Sequence, residues 1–155
     1  MINKKHDLYY TSIEQSKRLL ELGLNPETAD MHHSKYTKID NIDYVGLGYS
    51  ELDKEEYGDV FLPCWSLGAL FDVMPKIQEF DYSSLYKNHF GEKEKNVDVY
   101  YPSLCKDSFG LNVCMYSTQE HDILKIYTGK DFIEAAFYMV VWLLEKNYID
   151  KIKNG

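Results

Sequence analysis

The run Phe132-Ile-Glu-Ala-Ala-Phe-Tyr-Met-Val-Val-Trp-Leu-Leu144 is apolar over most of a helical circumference. At about 100° per residue, Glu134, Tyr138 and Glu145 fall on one narrow stripe, and Phe132, Ile133, Ala136, Met139, Val140, Leu143 and Leu144 cover the remainder. A helix with so thin a wet face has to be enclosed by other elements. Asp131 with Glu134 predicts a capping box at its start, and Lys146 suits its C-terminal end.

The chain shows helical punctuation elsewhere too. Thr11-Ser-Ile-Glu14 reads as a capping box opening a helix that runs to about Leu22 and stops at Gly23, with Leu24 folding back on Leu19. Its apolar face is only Ile13, Leu20 and a flank of Leu19, which predicts a surface helix. Asn25-Pro26-Glu27 restarts a helical turn carrying Ala29 and Met31 inward, followed by a polar segment. Between Tyr36 and Tyr49, Ile39, Ile42, Tyr44 and Leu47 alternate with polar residues, predicting one or two short strands around an Asp40-Asn41 turn. Glu51 to Asp59 reads as an acidic loop. A central helix then follows, with Ser66 as N-cap, Leu67, Leu70, Phe71 and Met74 at helical spacing, and Pro75 as its stop.

From Phe80 to Thr128 the period shortens to two. Val97, Val99 and Tyr101, then Leu111, Val113 and Met115, then Leu124 and Ile126, are separated by polar segments at Lys106-Asp107 and Ser117–His121. That is a meander pattern. No βαβ unit recurs, so the expected fold class is α+β: an antiparallel β-sheet meander packed against a long apolar C-terminal helix, with N-terminal and central helices. Residues 1–155 are expected to form a single globular domain.

Composition adds exclusions. A net charge of −8 opposes phosphate-backbone binding, and Arg18 is the only arginine, so no nucleic-acid partner is expected. Cys64, Cys105 and Cys114 lack C-x-x-C spacing and read as reduced, buried thiols of a cytoplasmic protein. The segment from Met1 to Tyr10 has no signal-peptide hydrophobic region, and Phe132–Leu144 is shorter than the roughly 20 residues that span a bilayer. No membrane association is expected.

Candidate chemistry is sparse. Asp30-Met-His-His33 places a carboxylate beside two imidazoles, but adjacent residues of an extended segment face opposite ways, and no further ligand spacing is present. We expect neither a metal nor a cofactor. Cys64, near a helix start, is a nucleophile candidate, although Trp65 and Leu70 forming a hydrophobic staple about Ser66 explains that segment better. The acidic run Glu51, Asp53, Glu55, Glu56 and Asp59 lacks the order of a calcium loop, and Gly46-Leu-Gly48 lacks the lysine and helix of a phosphate loop. The 14 tyrosines are the stronger hint, since exposed tyrosines make adaptable contact surfaces. Trp65, Tyr100, Tyr101, Tyr116, Tyr127 and His33 are the binding candidates, and no catalytic residue is assigned.

Three segments resemble a group of uncharacterised small proteins encoded by phages and prophages of gut Bacteroidetes. They are Thr11-Ser-Ile-Glu-Gln-Ser-Lys-Arg-Leu-Leu-Glu-Leu-Gly-Leu-Asn-Pro-Glu-Thr-Ala-Asp-Met31, Pro63-Cys-Trp-Ser-Leu-Gly-Ala-Leu-Phe-Asp-Val-Met-Pro75, and Asp131 to Leu144. The resemblance implies a mobile-element context and an intracellular site of action. The leading expectation is a non-enzymatic binding or host-interaction protein. A small-molecule binder that sequesters a nucleotide signal, and a small hydrolase using Cys64 or His33, are the alternatives. The aromatic surplus also suggests a homodimer.

Overall fold

The computed structural model describes residues 9–53, 58–87 and 93–152. Of the acidic run, Glu55 and Glu56 lie outside the described residues, as does the N-terminal stretch before Tyr9. The fold is α+β, with three α-helices and two antiparallel sheets among the described residues.

Helix α1 spans Ile13–Glu21. Its N-cap is Ser12, not Thr11: the Ser12 hydroxyl accepts from the Gln15 amide, and the Gln15 side chain accepts from the Ser12 amide. The helix closes as expected. Gly23, at φ +93°, donates to the Leu20 carbonyl and Leu24 to that of Leu19, the paired bonds of a Schellman ending. The surface-helix expectation is corrected in part, because Leu19 and Ser16 are fully buried. A 3₁₀ turn at Pro26–Thr28 follows, capped by the Asn25 side chain.

The segment after that turn is not a polar coil. It is strand β1, Met31–Lys35, at the centre of a three-stranded sheet with β2, Tyr44–Leu47, and β3, Val60–Cys64. Period-two reading misses β1 because His33 and Ser34, polar neighbours on opposite faces, are both buried. Strand β3 carries Pro63, which fits an edge position where one side of the backbone needs no partner. Part of the expected acidic loop is a 3₁₀ turn, Glu51–Asp53.

Helix α2, Leu67–Asp72, starts at Ser66, whose hydroxyl accepts from the Ala69 amide. Strands β4 (Ile77–Lys87), β5 (Lys93–Lys106), β6 (Asn112–Ser117) and β7 (Ile123–Gly129) form the second sheet in sequence order. Helix α3, Phe132–Glu145, packs on β6 and β7 and touches α2 and α1. The Asp131 carboxylate takes the Glu134 amide at 2.8 Å, while the Glu134 side chain reaches the Lys130 amide, one residue before the expected reciprocal partner. Asn147 at φ +61° and the Tyr148-to-Leu143 amide bond close α3 as a second Schellman ending.

The core lies between α3 and the sheet. Ile133, Ala135, Ala136, Met139, Val140, Leu143 and Leu144 meet Cys114 and Tyr116 of β6, Leu70 of α2, Trp65, and Leu19 and Leu24 of the first helical unit. Each large apolar side chain enclosed in this way contributes about 1.5–3 kcal/mol. Ala135 and Ala136 hold the helix close to the sheet, and Gly129 allows the chain to enter it: a Cβ there would lie 2.6 Å from the Ala135 amide nitrogen.

Candidate functional site

The residues singled out for chemistry are drawn into structural bonds. Segment Tyr9–Thr11 runs antiparallel to residues 65–67, through Thr11 to Trp65 and Leu67 to Tyr9 amide bonds. Thr11 is fully buried there, and its hydroxyl accepts from the Trp65 amide at 3.1 Å and pairs with Ser16 Oγ at 2.8 Å. His33 lies beneath, almost fully enclosed, with Nε2 2.7 Å from the Thr11 carbonyl and Nδ1 2.9 Å from the Asp43 carboxylate. Each ring nitrogen thus faces an oxygen acceptor. Cys64 Sγ donates to the same Thr11 carbonyl at 3.4 Å. Burial pushes its thiol up to about 12, against the partial relief given by the Thr11 hydrogen bond. The imidazole therefore faces a carbonyl where a nucleophilic pair needs it facing the sulfur, and the thiol is held protonated.

The Asp30-to-His33 constellation is likewise divided. Asp30 accepts from the Ser66 amide and hydroxyl and so holds the start of α2. His32 pairs with the Gly48 carbonyl at 2.7 Å and lies 5.2 Å from the Phe61 ring. Gly46, in β2, makes room for the His32 imidazole: a Cβ would come within 2.5 Å of that ring, which explains this glycine without a phosphate. Among the described residues, no group of three His, Cys, Asp or Glu side chains is placed to hold a metal ion.

The binding candidates do not converge. Trp65 is fully buried, with Nε1–H donating to Thr28 Oγ1, and Tyr116 is fully buried, with its hydroxyl donating to the Pro75 carbonyl. Burial raises the Tyr116 hydroxyl well above its ordinary value. Tyr100 is half-buried against the core, while its neighbour Tyr101 is exposed, as strand alternation requires. Tyr127 is half-buried 6.1 Å from Tyr138, with the Lys125 ammonium 5.1 Å above its ring. Trp65, Tyr116 and His33 thus serve the interior, and Tyr101 is the candidate with the most surface to offer.

What lies open to solvent is different. Leu47 on β2 is 87% exposed, Ile39 in the β1–β2 connection 80%, and Phe109 in the β5–β6 turn 88%. Leu47 ends a paired strand, and Phe109 and Ile39 sit on bonded turns. Asp107 accepts from the Phe109 and Leu111 amides, and Asp40 accepts from the Ile42 amide and the Tyr44 hydroxyl. A groove of about 940 Å³ also opens between the end of α1, the Pro26 turn and residues 49–51, with Leu20, Pro26 and Tyr49 in its lining and Glu21, Glu27 and Glu51 around them. Sequence reading missed this groove because its walls are separated by some 25 residues of chain. Ile39 and Leu47 were visible as strand positions, but an alternation pattern does not say which face stays wet.

No protein-family model, curated protein or solved structure matches the chain. None of the described helices is long and apolar enough to cross a membrane.

Proposed function

We propose that the chain is a non-enzymatic binding protein that acts on a protein partner in the cytoplasm of a bacterial host, as an accessory factor of a phage or prophage. The observation that carries this reading is the exposure of Leu47, at the end of strand β2, and of Phe109, on the hydrogen-bonded β5–β6 turn, on two different sheets. Large apolar side chains held outward on ordered backbone present contact area at little ordering cost. The engagement of Cys64 and His33 in interior bonds supports the same reading over a hydrolase. The apolar C-terminal helix laid on the meander acts as scaffold, and a homodimer is the simplest assembly to cover part of this surface.

The test is affinity capture from a Bacteroidetes lysate, comparing the wild type with Leu47→Asp and Phe109→Asp, with proteins and metabolites both quantified. A protein retained in stoichiometric amount and lost with either variant is the expected result. Retention of a nucleotide or another metabolite, unaffected by these variants, would select the small-molecule reading. Light scattering at tens of micromolar reports the assembly: a monomer mass rejects the dimer and leaves the exposed side chains to a foreign partner.

A further inference from the structure

We propose that the groove between α1, the Pro26 turn and residues 49–51 binds a cationic segment of the partner protein, one that carries Lys or Arg beside a large apolar residue. This inference rests on the protein-binding reading and names the partner's chemistry.

The lining has two characters. Leu20, Pro26 and Tyr49 supply apolar surface, and Glu21, Glu27 and Glu51 supply negative charge from three separate segments. Glu27 and Glu51 have no ion-pair partner among the described residues. Glu21 shares Arg18, at 3.6 Å, with Glu145, at 3.7 Å, so the one arginine of the chain is already divided between two carboxylates. Among the described residues the lining thus holds three carboxylates and no cation, with the stem of Lys151 packed beside Gly23 at its edge. The charge of Glu51 is felt at Tyr49, whose hydroxyl is raised first by burial and then by that carboxylate.

Contacts within the protein brace the walls. The Tyr49 ring stacks on Phe61 at 5.4 Å with planes 16° apart. The Ile152 amide donates to the Gly23 carbonyl at 2.8 Å, tying the C-terminal segment to the groove's edge. A preformed groove loses little entropy on binding. Its volume is at the upper end for pockets that take drug-sized ligands, which leaves room for several side chains.

The lining favours a peptide over a small cation. No three described carboxylates, imidazoles or thiols stand close enough to enclose a metal ion. Carboxylates from three segments that share a lining with Leu20, Pro26 and Tyr49 match a chain carrying both cationic and apolar side chains. Such rim charges orient a partner and speed its approach more than they tighten it.

The test is selection from a displayed library of random twelve-residue peptides on the full chain, followed by anisotropy titration of the enriched peptides. Glu27→Lys combined with Glu51→Lys reverses two charges at exposed positions, and Glu27→Gln with Glu51→Gln only removes them. Enriched peptides should combine Lys or Arg with a large apolar residue. They should weaken by about tenfold or more on the Lys variant and by less on the Gln variant, and binding should fall as salt rises. Enriched peptides without cationic residues, or equal binding to the Lys variant, overturn the groove assignment. If those peptides are instead lost on Leu47→Asp, the protein-binding reading survives without the groove. Absence of any enriched peptide overturns the groove assignment, while the lysate capture still judges the broader reading.

Discussion

Under α3, the four-stranded sheet buries Cys114 and Tyr116 against Met139, Val140 and Leu143. Between the N-terminal segment and the three-stranded sheet, Thr11, Ser16 and His33 are buried. The first region is held by apolar area removed from water, which is non-directional and tolerant of small shifts. The second depends on a chain of directed bonds: His33 to Thr11 and Asp43, Cys64 to Thr11, Trp65 to Thr11, and Thr11 to Ser16. Every buried side-chain nitrogen and oxygen among the described residues has a partner. The polar seam therefore joins segments far apart in the chain without leaving orphaned groups, and it fixes their register more tightly than apolar packing would. The outer surfaces are alike in one respect. Leu47 on β2 and Ile39 in the β1–β2 connection stay in water, as do Tyr101, Ile123 and Ile126 on the larger sheet.

The largest test of this contrast is Leu143→Ala. Leu143 is fully buried among α3 and its neighbours, and truncation is expected to cost about 2–5 kcal/mol in a denaturant titration. A loss under about 1 kcal/mol would show that α3 is not the centre of the core. Next is His33→Leu, which removes the imidazole between the Thr11 carbonyl and the Asp43 carboxylate and leaves that carbonyl to Cys64 alone. It is expected to cost about 1–3 kcal/mol, with hydrogen exchange rising first at Thr11 and Trp65. Loss of protection spread evenly through α3 would erase the distinction between the two regions.

An alkaline titration samples both regions at once. Cys64 lies in the seam and Cys114 in the apolar core, and burial raises each thiol from 9.0 to about 12. Below pH 9 both states hold their protons and stability is flat. Between pH 9 and 12 the unfolded chain releases protons that the folded chain retains, so stability falls with rising pH. Cys64→Ala and Cys114→Ala should each shallow that fall, measured by urea midpoints across the range. In native protein near pH 8, a thiol reagent should react with the half-buried Cys105 and spare the other two. The smallest expected effect is Ser12→Ala, a loss of about 1 kcal/mol from an exposed N-cap. Thr11→Ala should cost more, because Thr11 is a seam residue.

Thr11 and Ser12 illustrate how far the sequence is legible. The presence of a cap was readable, since a hydroxyl followed three residues later by a Glu or Gln marks a helix start, but two registers satisfied that rule. Burial of Thr11 against Trp65, 54 positions away, selected Ser12. Gly23, Asn25, Ser66 and Asp131 were readable for the same local reason: each satisfies backbone groups within a few residues of itself. Strand β1 was not readable, because a central strand whose buried side chains are histidine and serine has no apolar period.

The candidate site was the least legible part. Trp65, Tyr116 and His33 have the side-chain types of a binding surface, yet they lie inside, where an indole N–H, a phenol and an imidazole each find a partner. The groove at Glu27, Glu51 and Tyr49 joins residues that carry no mutual signal along the chain. What the sequence by itself determined is therefore local or periodic: the three helices, their ends, the alternating strands and the α+β class. Helical and strand periods repeat every few residues, so they are written in the chain. Only the tertiary structure decided which polar groups are enclosed and which apolar ones stay in water. Those outcomes depend on pairings such as His33 with Thr11 and Thr11 with Trp65, 22 and 54 positions apart, which no short-range pattern encodes.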